Sequence, residues 1–234
     1  MKKYTGSLIA IDGTDGSGKK TQAELLVLNI LAHGRGVKSI DFPRYNNNFT
    51  GAFLAECLGK KPGTVMPVDT KAFIAADPRL VSIPYALDRM ESKREMEEWL
   101  EQGLIVISDR YTSANQIHQG GKIHDTEART RFLEWLDKLE FEICGIPRPD
   151  LIVYLNVPIE TSMKLARERA LATGGSPDAA EEDAKHQHES RESALAIVES
   201  LNNWVKVDCV DEKGDMLPRE VIAERVFAAV SHLL

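Results

Sequence analysis

The sequence is poor in cysteine, in long apolar runs and in positive charge, and each shortage closes off a class of protein. Its three cysteines, Cys57, Cys144 and Cys209, are odd in number, widely spaced and contain no CxxC pair. That pattern speaks against a zinc ribbon or a redox motif and reads as reduced core thiols. No run of about 18 apolar residues occurs, and residues 1–6 carry charge without an apolar stretch of signal-peptide length. The expectation is a cytoplasmic protein, neither exported nor membrane-spanning. Lysine and arginine number 29 against 36 acidic residues, a net charge of −7. A nucleic-acid polymer, which calls for clustered cationic surface, is disfavoured as a partner, whereas a small anionic substrate needs only a local pocket.

What the sequence does have is enough apolar content, 43 % of 234 residues, for one sizeable core, and neither an internal repeat nor a second domain boundary is visible. A single domain over 1–234 is expected. Short apolar runs recur at Leu8 to Ile11, Val37 to Ile40, Leu104 to Ile107, Leu151 to Leu155 and Trp204 to Val207. Between them, helix-like spacing covers Gln22 to Ala32, Ser82 to Glu101, Thr126 to Phe141, Ile159 to Leu171, His188 to Leu201 and Glu220 to Leu233. Alternation of this kind predicts an α/β fold whose parallel sheet is covered on both faces. The polar stretch Ala172 to Gln187, with Gly174-Gly175, Ser176-Pro177 and a run of acids, has no apolar face and reads as a mobile lid or connector.

The densest signal is Leu8-Ile9-Ala10-Ile11-Asp12-Gly13-Thr14-Asp15-Gly16-Ser17-Gly18-Lys19-Lys20-Thr21, a glycine-rich loop set between the first strand and the first helix. This is the context of a phosphate-binding loop. Gly13, Gly16 and Gly18 let backbone N–H groups turn inward, the helix N-terminus adds partial positive charge, and Lys19 would lie against the β- and γ-phosphates. Ser17, Lys20 and Thr21 complete the candidate nucleotide site. At Lys20 the chain departs from GxxxxGK[ST], and an ammonium cannot be a Mg²⁺ ligand, so Thr21 is the nearest hydroxyl for that task. Adenylate kinases resemble this arrangement, with glycine in the position of Lys20 and then threonine, so the departure is compatible with phosphoryl transfer. Asp15 would repel phosphates if it pointed inward, so it should face another partner. A sugar hydroxyl of an acceptor nucleotide and an Asx-type turn are the two alternatives.

The run from Leu104 to Ser108 ends in Asp109-Arg110-Tyr111, followed by Thr112-Ser113-Ala114-Asn115-Gln116-Ile117-His118-Gln119. Ligands of open α/β sheets gather at such carboxyl ends. Asp109 is placed to hold Mg²⁺, directly or through water, and Arg110 to grip phosphate oxygens with its planar fork; a structural ion pair or helix cap is the alternative.

Taken together, Gly-Thr-Asp-Gly-Ser-Gly-Lys at 13–19, Asp-Phe-Pro-Arg-Tyr at 41–45 and Asp-Arg-Tyr at 109–111 resemble thymidylate kinase, in an order and spacing that extend over most of the chain. The resemblance implies a three-layer α/β/α P-loop fold with a five-stranded parallel sheet and a lid at about 170–190. It also implies transfer of the γ-phosphate of ATP to dTMP with Mg²⁺, and a homodimer. It places Asp15 on the deoxyribose 3′-hydroxyl, Tyr85 over the thymine ring, Arg89 on a base carbonyl and Asn115 on the base edge. Arg44 would hold the acceptor phosphate, Tyr111 and Gln119 would line the acceptor site, and Arg169 (ahead of Lys164 and Arg167) would be the lid cation. The bacterial homologues most like this chain often have Asp-x-His-Glu near the end of the lid, where this chain has His186-Gln187-His188-Glu189. His186, His188 and Glu189 do not complete a zinc ligand set. A kinase for another nucleoside monophosphate or for a deoxynucleoside is the nearest rival, and a regulatory nucleotide-binding protein with little transfer activity is the rival of a different class.

Overall fold

A computed structural model of the protein describes residues 3–60, 68–172 and 184–234. Five strands, β1 (Ser7–Gly13), β2 (Val37–Asp41), β3 (Ile105–Asp109), β4 (Leu151–Asn156) and β5 (Trp204–Asp208), form one parallel sheet in the order β2-β3-β1-β4-β5. Every residue of β1 and β4 is buried, which is why their sequences are continuous apolar runs, whereas the edge strands β2 and β5 alternate in exposure.

Successive side chains of a strand point to opposite faces, so the sheet divides the core in two. Leu8 and Ala10 pack on one face, and Ile9 and Ile11 on the other. Helices α1 (Lys19–Ala32) and α10 (Arg219–Val230) cover the second face through Leu26, Ile30, Ile222 and Val226. On the first face lie α4 (Pro78–Glu91), α5 (Lys93–Glu101), α6 (Thr112–His118) and α9 (Ala184–Ser200), contributing Ala86, Met96, Leu100, Ile117, Ala194 and Ile197. The remaining helices are α2 (Phe49–Cys57), α3 (Thr70–Ala75), α7 (Thr126–Asp137) and α8 (Ile159–Ala172). The architecture is the expected α/β/α sandwich with five parallel strands.

Local differences from the sequence reading have physical causes. The single helical pattern at Ser82 to Glu101 is two helices, and it begins earlier. Asp77 caps α4 by accepting from the Arg79 N–H at 2.9 Å, with Pro78 at the first helical position. Ser92, at φ −95° and ψ 0°, ends α4 and starts α5. The pattern Thr126 to Phe141 leaves α-helical winding after Asp137 and continues as a π-helical turn, Lys138–Ile143. Helices α2, α3 and α6 have nine, six and seven residues, too few for a 3.6-residue period to stand out. Most of the expected lid, residues 173–183, lies outside the described residues, and Ala184 to Gln187 belong to α9.

Parallel register brings the chemistry to one end. Ile11 and Asp41 both pair with Asp109, so the loop after β1, the segment after β2 and the Asp109-Arg110 pair emerge together at the carboxyl edge of the sheet.

Candidate active site

Between Gly13 and Lys19 the chain needs backbone shapes that only glycine adopts cheaply. Gly16 has φ +83°, and a Cβ there would fall 2.0 Å from the carbonyl oxygen of Ser162. Gly18, at φ +86°, turns the chain into the N-terminus of α1. Lys19 follows directly and folds back over the loop, its Nζ donating to the carbonyls of Gly13 at 2.9 Å and Thr14 at 2.7 Å. Its side chain is buried, and burial together with the Arg110 charge lowers its pKa to about 8 against the opposing pull of Asp15, Asp12 and Asp109. Beneath the loop, the Asp12 carboxylate accepts from the Gly13 N–H at 2.8 Å and the Ser113 hydroxyl at 2.6 Å, fastening β1 to α6.

Asp15 lines the cavity beside the loop, and its charge is met by protein groups. Its carboxylate accepts from Arg110 Nη2 and, at 3.1 Å, from the Gln187 amide, with Lys19 Nζ 3.8 Å away. Burial alone would raise the Asp15 pKa, yet the charges of Arg110 and Lys19 outweigh it and hold the carboxyl well below its ordinary range. Arg110 is the one described non-glycine residue at positive φ, +64°, a backbone strain held at the mouth of β3. Its Nη1 lies 3.0 Å from His118 Nε2. Arginine has no acceptor, so Nε2 carries the lone pair, and the Nδ1 proton faces the Ser190 hydroxyl at 3.2 Å. His118 is accordingly pushed well below its ordinary pKa, first by burial and then by Arg110, and its ring stacks on His186 at 5.5 Å. One network thus joins the loop, β3, α6 and α9.

Asp109 fits the donor chemistry that Mg²⁺ requires. Its Oδ1 is buried without a hydrogen-bond partner among the described residues, as are the hydroxyls of Thr14 and Ser17 in the loop beside it. Burial raises the Asp109 pKa while Arg110 and Lys19 pull it down. Thr21 is exposed, on the rim of the cavity. No group of three metal-ligating side chains exists among the described residues. A cation here would keep waters and phosphate oxygens as partners, which is how Mg²⁺ is usually bound.

The loop opens into a cavity of about 590 Å³. Asp15, Lys19, Asp109 and Arg110 line it together with Tyr85, Arg89, Asn115 and Gln119, so most of the predicted residues do converge. Arg89 is only 1 % exposed and is engaged by Glu140. Asn115 is buried beside it, and Gln119 accepts from Lys122 Nζ at 2.8 Å. Gly13 and Ser17 underlie the loop rather than lining the cavity. Two more of the predicted residues lie off the cavity. Arg44 turns toward α5, where Nη1 meets Glu95 at 2.6 Å and Ser92 at 3.2 Å, and it does not line the cavity, because the Glu95 carboxylate is its near charge partner. Tyr111 is wholly buried in the core, its hydroxyl donating to the Pro147 carbonyl at 2.9 Å, because the positive φ of Arg110 turns the next residue inward. The Arg169 side chain lies outside the described residues.

The thymidylate kinase family model matches residues 11–216. Over 198 residues, 84 % of this chain and 87 % of the relative, the sequence is 31 % identical to thymidylate kinase of Mycobacterium tuberculosis. The chain belongs to the thymidylate kinase family. It is also 26 % identical to the human thymidylate kinase over 164 residues, covering 70 % of this chain and 67 % of that one. Among solved structures, thymidylate kinase from Candida albicans superposes with a TM-score of 0.70 at 21 % identity, covering 97 % of this chain and 92 % of that chain, a likeness of fold.

Within this thymidylate kinase framework, several residues of the site escaped the sequence reading. Asp12, His118 and Gln187 are polar residues whose partners sit on other elements. Only Glu140 carried a local signal, an acid standing between the apolar Leu139 and Phe141.

The pKa of Lys19 makes a testable statement about anion binding. A group that loses its proton near pH 8 is cationic below that value and neutral above it. Affinity for inorganic tripolyphosphate, measured by calorimetric titration, is expected to fall several-fold, on the order of 1 kcal/mol, between pH 7 and pH 9. Affinity that stays level across that range would remove Lys19 from the anion contact.

Proposed function

We infer that this member of the thymidylate kinase family transfers the γ-phosphate of ATP to dTMP, giving dTDP and ADP on the route to dTTP. The observation that carries the reading is the meeting, in one cavity, of the phosphate loop, the Asp109-Arg110 pair and a wall bearing Tyr85, Arg89 and Asn115.

In this reading the loop's backbone N–H groups and Lys19 hold the donor phosphates, and Arg110 holds the acceptor phosphate against them for direct in-line attack. An acceptor phosphate is already a competent nucleophile, so no general base and no covalent enzyme intermediate are required. Asp109, with Thr21 nearby, would hold Mg²⁺, which supplies charge neutralisation at the transferring phosphoryl group. Lys19 and Arg110 contribute the remaining positive charge from fixed positions, without rearrangement at the moment of transfer. Tyr85 offers a ring face to the base and Arg89 an N–H to a carbonyl. Asp15 is available to a sugar hydroxyl once its contacts adjust, and Arg169 is the lid cation suggested by resemblance. Three buried, unbridged cysteines fit a reducing compartment, and a cytoplasmic location belongs to the same proposal. Among the described residues no helix is long and apolar enough to cross a membrane.

A homodimer is proposed through α2 and α4. Phe49 is 84 % exposed, and Phe53, Leu80, Ile83, Leu87 and Met90 are also open to solvent on these two packed helices. Contiguous apolar surface of this kind usually marks an interface. Sedimentation velocity is expected to find a dimer for the wild type and a monomer for Leu87→Asp. A wild type that stays monomeric at all concentrations tested would contradict the assignment.

For the chemistry, ADP formation is measured with ATP, Mg²⁺ and a panel of dTMP, dUMP, dCMP and thymidine. Turnover is expected to favour dTMP, with the methyl group worth about 1–3 kcal/mol over dUMP. Lys19→Ala is expected to lower kcat by about 10²–10³, the cost of losing one positioned charge donor, with its circular dichroism unchanged. Nucleotide binding with no transfer to any acceptor would turn the reading toward a regulatory protein.

A further inference from the structure

Behind the acceptor wall lies a carboxylate that does not line the cavity, yet sets what the wall presents. Glu140 is 1 % exposed and sits in the π-helical turn after α7. There the backbone bonds from Cys144 N–H to the Leu139 carbonyl at 2.9 Å, five residues apart, and the widened turn lets Glu140 reach under α4 and α6. Its Oε2 accepts from Arg89 Nε at 3.0 Å, and its Oε1 from Arg89 Nη2 and, at 3.2 Å, from Asn115 Nδ2. The second N–H of the Asn115 amide goes to the Ser82 carbonyl at 3.2 Å.

Ser82 O and Glu140 Oε1 are both acceptors, so the Asn115 atom facing them must be the nitrogen. Turning the amide over would set its oxygen against two other oxygens and leave buried polar groups unpaired. Both amide N–H groups are spent on the protein, and only Oδ1 remains for anything that enters the cavity. Arg89 is the opposite case. Its bonds to Glu140 and, from Nη1 at 3.2 Å, to the Tyr111 carbonyl use three of five N–H groups, and everything it has left is donor.

We propose that Glu140 is a positioning residue that fixes the polarity of the acceptor-base site, so that Arg89 offers a donor and Asn115 an acceptor, selecting a base edge with a carbonyl beside a ring N–H. Thymine and uracil present that edge. Cytosine presents an amine beside an unprotonated ring nitrogen, the reverse pattern, and meets donor against donor. The proposal rests on the phosphoryl-transfer reading above and adds to it the group that decides which pyrimidines are excluded.

Glu140→Gln keeps the shape but cannot serve all three donors: an amide nitrogen in the place of Oε1 leaves both Arg89 Nη2 and Asn115 Nδ2 without an acceptor, one in the place of Oε2 leaves Arg89 Nε without one, and either way the negative charge that fixes Arg89 and Asn115 is gone. The ratio of kcat/KM for dTMP over dCMP is expected to fall about tenfold or more. The dTMP over dUMP ratio, which reads only the methyl group, and the KM for ATP are expected to stay within about twofold. A variant that is merely less stable or slower on every acceptor, with the dTMP over dCMP ratio intact, would overturn the proposal. Should that variant fail to fold, wild-type protein and 3-methyl-dTMP carry the test. Removing the N3 proton is expected to cost as much as the change to dCMP, and turnover equal to that of dTMP would overturn the assignment. If the wild type transfers phosphate to no acceptor, both this inference and the reading beneath it fail, whereas flat selectivity in Glu140→Gln beside an active wild type removes this inference alone.

Discussion

The half-buried pairing of Asp15 with Arg110 is the contact on which the rest of the site depends. Asp15 belongs to a glycine loop whose purpose is to gather negative charge, and it tolerates that position because Arg110 and Lys19 lie against it. Arg110 in turn holds a strained backbone at the end of β3 and reaches His118, through which α9 is engaged at Ser190. Loop, strand end and α9 are therefore joined in one hydrogen-bonded network through Arg110, His118 and Gln187.

A second buried pair, Arg89 with Glu140, does for the acceptor wall what Asp15 with Arg110 does for the loop. In both, a carboxylate spends some of the cation's donors and orients the others; Asp15 does so from within the cavity and Glu140 from behind its wall. Charge in the first unit suits phosphate, and hydrogen-bond polarity in the second suits a base edge. The parallel sheet makes the combination possible by delivering β1, β2 and β3 to the same edge in register.

How much of this was legible in the sequence follows from how local each feature is. The five strands could be read because strands buried on both faces leave unbroken apolar runs, and the phosphate loop because all its parts lie within ten residues. That Asp15 needs a partner other than phosphate was readable from charge alone, but Arg110 and Gln187, 95 and 172 positions away, were not. Glu140 and Arg89 are 51 residues apart, and the π-helical turn that unites them leaves no periodic trace. Arg44 and Tyr111 sit at the expected places along the chain, yet a neighbouring Glu95 and a positive φ at Arg110 send their side chains elsewhere. Motif position fixes where a residue stands on the backbone; competing charges and backbone turns decide where its side chain goes.

The central claim is that donor and acceptor phosphates share one cavity, set by the loop on one side and Arg110 on the other, for direct transfer between them. A bisubstrate compound in which adenosine and thymidine are joined through five phosphates tests this most directly, by calorimetric titration beside ATP and dTMP alone. The account predicts that it binds at least about 10²-fold more tightly than either nucleotide. Affinity no better than that of ATP would mean that the two phosphate sites are not joined, and would contradict the account.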